Sequence, residues 1–288
     1  MVNSHIDVVP GPDRIFSPIT KGKFIYGRGS ADTKSAVAVM LNLNPEIIKL
    51  SASKNILFSL VSDEEIGGGS TKEFISQSPN LEFGIFGEPT GLKIENQAKG
   101  IMQIQITASG KSAHGSRPWN GKNAIEAQAR NLTAFFSINS SPKKETTKTT
   151  YNFSQIKGGT AINQIPDRCE LLLDVRYHPD DQPKSILRLL TQHFPQTQIV
   201  ALKTESPIYT DPKHPKITVL KKCLSQFGIK PELIFEHGSS DARHCTAKRI
   251  SSVVFGPLGK NLHQENEYVD ASSLPLYQSV LENFINTW

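Results

Sequence analysis

Several short apolar runs in the first and last parts of the chain stop abruptly at acidic, histidine or glycine residues. Apolar runs of this length are typical of strands that are buried on both faces of a parallel or mixed sheet. In such sheets the ligand site lies just beyond the carboxyl ends of the strands, which is where these polar residues stand. Besides the opening SHIDVVP, the runs are residues 55–62, 83–86, 233–235 and 252–255.

Three segments with helical apolar spacing lie between or after these strands, at residues 33–44, 217–227 and 274–285. In the first of them, Val37, Met40 and Leu41 are expected to face inward. The mixture of strands and helices predicts an α/β domain with a mixed sheet covered by helices.

The middle of the chain has a different pattern, in which apolar and polar residues alternate within strands. Its predicted strands and helices follow the order βαββαβ, which is the split unit of a ferredoxin-like fold. We therefore predict a ferredoxin-like domain at residues 98–206, inserted into an α/β domain made of residues 1–97 and 207–288. The predicted strands are 101–108, 151–157, 168–176 and 198–203, and the helices are 123–136 and 183–193.

Composition narrows the class of protein. With 288 residues, 37% hydrophobic and 20% charged, the chain is an ordinary globular protein. The net charge of +5 is spread along the chain, so it is a weak argument for a nucleic-acid partner. Three separated cysteines favour neither disulfides nor a thiolate metal site, and no membrane span or signal peptide is visible, so we expect a cytoplasmic protein.

The opening stretch SHIDVVP raises the first question of chemistry. In a strand, His5 and Asp7 project from the same face and Ile6 from the other. Taken alone, this pattern is more simply explained by an edge strand with a solvated polar face. Other polar residues at predicted strand ends favour a functional role for His5 and Asp7 instead.

Two histidines and several carboxylates collect at these ends, without thiolates and without a glycine-rich phosphate loop. Nitrogen and oxygen ligands of this kind suit a divalent cation, and we expect zinc, although cobalt or manganese would also accept them. One ion neutralises too little of the negative charge, so we expect two ions that share one carboxylate. The residues are His5, Asp7, Asp32, Glu64, Glu65, Glu88 and His263.

Eight motifs then carry a family resemblance from residue 4 to the C-terminus. The chain resembles the dizinc metallopeptidase family of succinyl-diaminopimelate desuccinylase, acetylornithine deacetylase and glutamate carboxypeptidase. Each motif is weak or moderate alone, but their shared order and spacing make a strong signal. The motifs are SHIDVVPG, YGRGSADTK, SDEEIGGGS, GEPTG, GKSAHGSRP, GGTAINQIPD, HGSSDAR and LHQENEYVD.

This resemblance implies a role for each residue of the predicted metal site. His5 and Glu88 would bind one ion, Glu65 and His263 the other, and Asp32 would bridge both. Asp7 would accept the second ring N–H of His5 and so fix its tautomer. The Asp32–Thr33 peptide is expected to be cis. The simpler alternative for Asp32 is the N-cap of a helix.

The resemblance also implies catalytic and substrate-binding residues. Glu64 would be the general base in hydrolysis of an amide. His114 would reach the oxyanion from the partner subunit of a homodimer formed by the inserted domain. Asn163, Arg176 and Arg243 would bind the carboxylate or backbone of an N-acyl amino acid or peptide substrate. Arg176 could equally form a structural ion pair at a strand end.

The chain also departs from the family pattern. It begins at the H-x-D strand, without the several dozen residues that usually precede it, which predicts exposed apolar surface near this strand. Ser35 stands where the family usually has Gly, and Gly259 stands where desuccinylases often have Asn. Three hypotheses therefore stay open: an active dizinc amidohydrolase, desuccinylase-like or peptidase-like; a non-catalytic or truncated remnant of that family; and, with little support, a nucleic-acid binder.

Overall fold

The computed structural model describes residues 1–287 and divides the chain into two compact units. One unit contains Met1–Ala98 and the residues from Ile208 onward, and the other is Lys99–Pro207. The boundaries expected from the sequence, 98 and 206, lie one residue from these. No helix within residues 1–287 has the length and apolar character that crossing a bilayer requires.

The strands are listed here in chain order: β1 Val2–His5, β2 Ile19–Lys21, β3 Phe24–Tyr26, β4 Phe58–Val61, β5 Phe83–Phe86, β6 Ile94–Ala98, β7 Gly100–Ser109, β8 Ala113–His114, β9 Thr150–Gly158, β10 Gln164–Ile165, β11 Arg168–Tyr177, β12 Thr197–Glu205, β13 Ile208–Tyr209, β14 Leu233–Glu236, β15 Ser251–Val254, β16 Gly259–Lys260 and β17 Tyr268–Asp270. The helices are α1 Lys34–Leu41, α2 Pro45–Ser53, α3 Gly69–Ser76, α4 Ala124–Ile138, α5 Pro183–His193, α6 Pro215–Gln226, α7 Ala242–Ala247 and α8 Leu274–Thr287.

The main sheet of the first unit is mixed, as the sequence predicts. Its order is β13-β6-β15-β5-β1-β4, with β14 paired to β6. Strand β1 runs parallel to β4 and β5, and β15 runs parallel to β5. The carboxyl ends of these four strands therefore lie at one edge of the sheet, which is the geometry that gathers polar side chains into a site.

A hydrophobic core covers one face of this sheet. Helix α8 packs against α1, α2 and α6, so that apolar side chains of all these helices meet the strands. Burial of this apolar surface is the main stabilising contribution to the unit. The largest buried cluster includes Ala36, Val39, Phe83, Ile85, Ile94, Ile217, Leu220, Val253, Tyr277 and Phe284.

A second, four-stranded sheet lies in the same unit and matters for the site. Its order is β16-β17-β3-β2, and all of its pairings are antiparallel. Strand β3 leads into the Gly27–Asp32 loop, and β17 follows the loop that carries His263. This small sheet therefore holds together two segments that are distant in sequence and that both reach the candidate site.

Two predictions near the start of the chain are wrong in detail. The helix predicted for residues 33–44 ends at Leu41, and Leu41 is 75% exposed instead of facing inward. Asn44 is the N-cap of the next helix, because its side chain accepts the backbone N–H of Glu46 and Pro45 begins the helix. The strand predicted to begin at Asn55 begins at Phe58, since Asn55 has a left-handed φ of 55° after α2.

Strand β4 lies at the edge of the main sheet and leaves apolar side chains exposed. Leu60 within β4 is 44% exposed, and Leu57, just before the strand, is 47% exposed.

The second unit is an antiparallel sheet with two helices. The sheet order is β12-β7-β11-β9, with α4 between β7 and β9 and α5 between β11 and β12 in the chain. The short strands β8 and β10 form a separate two-stranded sheet. In the central strands, alternate residues such as Met102, Ile104 and Ile106 are fully buried. They form one core with Leu171, Leu173, Val175, Phe135, Ile186 and Leu190.

Candidate metal centre

Polar side chains from separate segments converge at the carboxyl edge of the main sheet. His5 is the last residue of β1 and pairs in register with Val61, the last residue of β4. Glu64 and Glu65 follow β4, and Glu88 follows β5. Because these three strands are parallel neighbours, their ends bring the four side chains to one place.

Asp32 joins this group through both of its carboxylate oxygens. Asp32 Oδ1 lies 2.9 Å from His5 Nε2, and Asp32 Oδ2 lies 3.2 Å from His263 Nε2. Glu88 Oε1 is 3.7 Å from His5 Nε2, and Glu65 Oε2 is 3.3 Å from His263 Nε2. The five predicted ligands therefore form two adjacent sets that share Asp32.

Donor atoms within this group are close enough for one cation to contact several of them. Ligand atoms of His5, Asp32 and Glu65 all lie within 4.8 Å of one another. The Asp32–Thr33 peptide bond is cis, as expected from the family resemblance. The alternative assignment of Asp32 as a helix cap does not fit, because Thr33 occupies the N-cap position of α1.

Asp7 contacts one residue of each ligand set, His5 in the first and Glu65 in the second. His5 Nδ1 lies 3.0 Å from the backbone carbonyl oxygen of Asp7 and 3.3 Å from its Oδ1. The other carboxylate oxygen, Oδ2, accepts the backbone N–H of Glu65 at 3.0 Å. Asp7 thus lies beside the second ring nitrogen of His5, as predicted, but the nearer acceptor is its backbone carbonyl.

Glu267 was not found by the sequence analysis, yet it orients Asp32. This residue is fully buried and accepts backbone N–H groups from Gly29, Ala31 and Asp32 at 3.0 to 3.1 Å. Arg28 Nη1 donates to the same carboxylate at 2.6 Å. In the sequence, Glu267 stands in the polar run HQENE, where nothing local distinguishes it from Glu265.

Glu64 lies in the same cleft as the two ligand sets, and its cationic neighbour is Arg243. Arg243 Nη1 is 3.6 Å from Glu64 Oε1, and Arg243 Nη2 is 3.5 Å from Asp241 Oδ1. Arg243 Nη2 also donates to the backbone carbonyl oxygen of Gly67 at 2.8 Å. Arg243 is buried, so its guanidinium supports Glu64 and the Gly67 loop from within the protein.

The pKa values in this group report an excess of negative charge. Burial opposes a charge on His5, but its hydrogen bonds to Asp32 and Glu88 outweigh this and raise its pKa to about 12. Burial, followed by the charges of Glu88 and Asp241, raises the pKa of Glu64 to about 8. Burial and the charge of Asp32 also raise the pKa of Glu65. Carboxylates that hold a proton this strongly form a site that favours cations.

The remaining predicted site residues belong to the second unit. His114 is exposed on β8, and its Nδ1 lies 2.8 Å from Ser116 Oγ. Asn163 is exposed and its backbone carbonyl accepts the N–H of Gly115 at 2.7 Å. Arg176 Nε donates to Asp174 Oδ1 at 2.7 Å, which is the structural ion pair that the sequence analysis held open as an alternative.

A cleft of about 420 Å³ opens beside the metal-ligand candidates within the first unit. Two carboxylates on its wall, Glu95 and Glu236, were not identified from the sequence. Burial, followed by the charges of Glu236 and Glu88, raises the pKa of Glu95 well above its ordinary value. The cleft is lined by Asp32, Glu64, Glu65, Glu88, Pro89, Thr90, Glu95, Glu236, Gly238, Ser239, Ser240, Leu262 and His263.

Comparison with known proteins identifies the family. The model of peptidase family M20/M25/M40 matches residues 1–287, and the chain therefore belongs to this family. Succinyl-diaminopimelate desuccinylase of Nitrosomonas eutropha is 28% identical over 310 residues, which cover 98% of this chain and 82% of that protein. A protein of Aspergillus clavatus named "Probable carboxypeptidase" is 33% identical over 209 residues, which cover 65% of this chain and only 50% of that protein.

The fold is also found among solved structures. The crystal structure of aminopeptidase PepT from Bacillus cereus superimposes with a TM-score of 0.82, covering 99% of this chain and 79% of that chain. The sequence identity is 21%, so this likeness describes the fold alone. It agrees with the mixed α/β architecture described above.

Proposed function

We propose that this chain is a metal-dependent hydrolase that cleaves an amide bond of an N-acyl amino acid or small peptide, with desuccinylase-like activity. One observation carries the proposal. The two carboxylate oxygens of Asp32 face different histidines, with Oδ1 2.9 Å from His5 Nε2 and Oδ2 3.2 Å from His263 Nε2. A carboxylate in this position is suited to bridge two cations.

The donor chemistry fits two divalent ions. Imidazole nitrogens and carboxylate oxygens without thiolates suit zinc, and cobalt or manganese would accept the same ligands. We assign His5 and Glu88 to one ion, His263 and Glu65 to the other, and Asp32 to both. When bound, these ions would polarise the amide carbonyl and lower the pKa of water.

Glu64 is the proposed general base. Its carboxylate would take a proton from the attacking water and deliver it to the leaving amine nitrogen. Two features support this role: Glu64 lines the same cleft as Asp32, Glu65, Glu88 and His263, and it makes none of the histidine–carboxylate contacts that define the two ligand sets. The buried guanidinium of Arg243 would hold the Glu64 carboxylate in position.

The second unit supplies the other proposed parts of the site. Its βαββαβ order supports a ferredoxin-like dimerisation domain, from which His114 would donate a hydrogen bond to the oxyanion in the partner subunit. Asn163 of this unit would contribute to substrate binding, and Arg176 is a weaker candidate because of its ion pair. Arg243 belongs to the first unit, and although the family resemblance implies substrate binding, its contact with Glu64 supports the positioning role instead. The three cysteines are buried and unpaired, which is compatible with the proposed cytoplasmic location.

A hydrolysis screen tests this function directly. The purified, zinc-loaded protein is assayed with N-succinyl-LL-diaminopimelate, N-acetyl-L-ornithine and a set of dipeptides, beside Glu64→Ala. The variant should keep its zinc, measured by mass spectrometry, and lose at least about a hundredfold in kcat. Glu73→Ala, an exposed carboxylate on α3, is the matched control and should behave like the unmodified protein. Equal rates for Glu64→Ala and the control would refute Glu64 as the base.

A further inference from the structure

Residues 62–68, here called the β4–α3 loop, carry both Glu64 and Glu65. Asp63 closes this loop on itself, because its backbone carbonyl oxygen accepts the N–H of Gly68 at 2.7 Å. A loop that presents a base and a metal ligand needs a fixed backbone, since small displacements of catalytic groups are costly. The glycine end of this loop is held from outside, by a residue of a distant segment.

That residue is Asp241, whose carboxylate is buried against the loop. A Cβ atom added at Gly68 would lie 1.7 Å from Asp241 Oδ1, so the carboxylate occupies the space that a side chain at position 68 would fill. Gly68 also has a left-handed φ of 63°, which favours glycine. Asp241 Oδ2 accepts a hydrogen bond from Thr71 Oγ1 on α3. Asp241 therefore contacts both the loop backbone and the helix that follows it.

Two basic side chains face Asp241 inside the protein. Arg243 Nη2 and His244 Nε2 each lie 3.5 Å from Asp241 Oδ1. Burial alone would raise the pKa of Asp241, but the contacts with His244 and Thr71 and the charge of Arg243 outweigh it and lower the pKa. The three charged side chains are at most 6% exposed, so solvent and salt screen their interactions only weakly.

Arg243 is shared between Asp241 and the proposed base. Its Nη1 lies 3.6 Å from Glu64 Oε1, while its Nη2 lies 3.5 Å from Asp241 Oδ1. The same Nη2 donates to the backbone carbonyl oxygen of Gly67 at 2.8 Å. Because the guanidinium is planar and rigid, a contact that fixes Nη2 also fixes the direction of Nη1. Asp241 can therefore orient the group that faces Glu64.

We propose that Asp241 is a positioning residue, which holds Arg243 and the β4–α3 loop so that the Glu64 carboxylate faces the attacking water. This inference rests on the proposed function for the role of Glu64. Ser240 is among the described residues that line the cleft, and Asp241 is not. Asp241 would thus act through Arg243 and the loop, and not on the substrate.

Capping of a helix is a less suitable role for this side chain. Asp241 occupies the N-cap position of α7, but its side chain makes no capping hydrogen bond to this helix, all of which the structure describes. Its Oδ2 contacts Thr71 of α3 instead. The carboxylate is therefore directed at the segment that carries Glu64 and Glu65, and not at its own helix.

Hydrogen exchange tests the contact without an assay of activity. Asp241→Asn keeps the size of the side chain and an acceptor for Thr71, but removes the charge that faces Arg243. In the zinc-loaded variant we expect the backbone amides of residues 64–71 to exchange about tenfold faster, measured by mass spectrometry. Amides of β5 and β15 should keep their rates. Asp13→Asn, at an exposed position, is the matched control and should change no rate.

A second variant covers the case in which Asp241→Asn does not fold, which thermal unfolding and fast exchange in β5 and β15 would show. Thr71→Val has nearly the same shape and removes only the hydrogen bond to Asp241. It should raise exchange in residues 64–71 by about threefold. Unchanged exchange in this segment, in a variant that is folded, would overturn the inference.

Kinetics test whether Asp241 acts through Arg243. For Asp241→Asn we expect kcat to fall about tenfold, KM to change by less than about threefold and zinc content to stay the same. In an Arg243→Ala background, the same substitution should lower kcat by less than about threefold, because the route to Glu64 is already broken. A tenfold loss in both backgrounds would contradict the positioning role. Loss of zinc would also contradict it, because the metal ligands and not Glu64 would then explain the lower kcat.

The outcomes separate this inference from the proposed function. If the unmodified protein hydrolyses none of the substrates, the hydrolase proposal fails, and the exchange rates of residues 64–71 decide whether Asp241 holds the loop. If the protein is active and Asp241→Asn has the same kcat as Asp13→Asn, the hydrolase stands and the positioning role is refuted.

Discussion

The carboxylate of Glu267 accepts the backbone N–H of Asp32 at 3.1 Å, although the two residues are 235 positions apart in the sequence. The same carboxylate accepts the N–H groups of Ala31 and Gly29 and pairs with buried Arg28. The loop that presents Asp32 to both histidines is thus fixed by one side chain from the far end of the chain. Glu267 acts on the metal site by positioning Asp32.

Replacing Glu267 with Gln should destabilise the protein strongly. Arg28 and Glu267 are 4% and 0% exposed, and removing one partner of a buried ion pair leaves an uncompensated charge. We expect the free energy of unfolding to fall by about 3 kcal/mol, measured by urea denaturation. Glu265→Gln is a close control, because Glu265 pairs with Arg14 at the surface and should change stability by less than about 1 kcal/mol. Equal effects of the two variants would contradict the positioning role.

Zinc stoichiometry should follow the two ligand sets that share Asp32. We expect two zinc ions per chain in the dialysed protein, one in His263→Ala, and less than one in Asp32→Ala, because Asp32 contributes an oxygen to each set. Zinc at about 100 times its dissociation constant should also raise the free energy of unfolding by about 2.7 kcal/mol. His114→Ala should keep both ions. A full zinc content in Asp32→Ala would exclude Asp32 as a bridge.

Much of the fold could be predicted because the local pattern was strong. Helix α5 and strand β5 begin and end where apolar periodicity places them, and the long strands β7 and β11 extend only one residue or so beyond the prediction. The predicted element boundaries fail where a single residue determines the backbone conformation. Asn44 caps α2, and Asn55 takes a left-handed φ, so the apolar residues around them do not continue the elements predicted for them.

The candidate site was predictable only in part, for a related physical reason. His5, Asp32, Glu65, Glu88 and His263 stand next to strand ends or loops with recognisable motifs, and the structure brings them together. Glu267 and Glu95 have no such local signal. Glu267 acts on a loop that is distant in sequence, and Glu95 reads as one polar residue of an ordinary strand. Their importance depends on tertiary burial, which single-sequence patterns do not report.

Arg243 should affect the chemical step more than substrate binding. It is buried between Glu64, Asp241 and the Gly67 carbonyl, so removing it would release the proposed base. For Arg243→Ala we expect kcat to fall by about 10- to 100-fold and KM to change by less than about threefold. Arg243→Lys, which keeps a charge, should recover part of kcat. A raised KM with unchanged kcat would show instead that Arg243 binds substrate directly, as the family resemblance implies.

The stability of the C-terminal region should depend on pH through Asp270. Burial alone would raise the pKa of Asp270, but hydrogen bonds from Lys23 and Ser272 outweigh it and lower the pKa. A carboxyl group with a lowered pKa in the folded state stabilises the protein above its unfolded pKa, and this contribution is lost as the pH falls. Asp270→Asn should therefore cost about 0.5 to 1 kcal/mol at pH 7. The difference in unfolding free energy between Asp270→Asn and the unmodified protein should shrink once the pH drops below about 4, the ordinary pKa of Asp. A constant difference across the range would rule out the Lys23 ion pair as the cause.

His114 is the residue for which the proposed homodimer makes the sharpest prediction. It lies in the second unit and is exposed, with Ser116 beside its Nδ1. If it acts in the active site of the partner subunit, Glu64→Ala and His114→Ala are each inactive alone, but mixed dimers contain one intact site. Random exchange makes half of the dimers mixed, so about a quarter of the unmodified activity should return. Because no dimer can regain an intact site if His114 serves its own subunit, absence of any recovery after verified subunit exchange would reject the shared site.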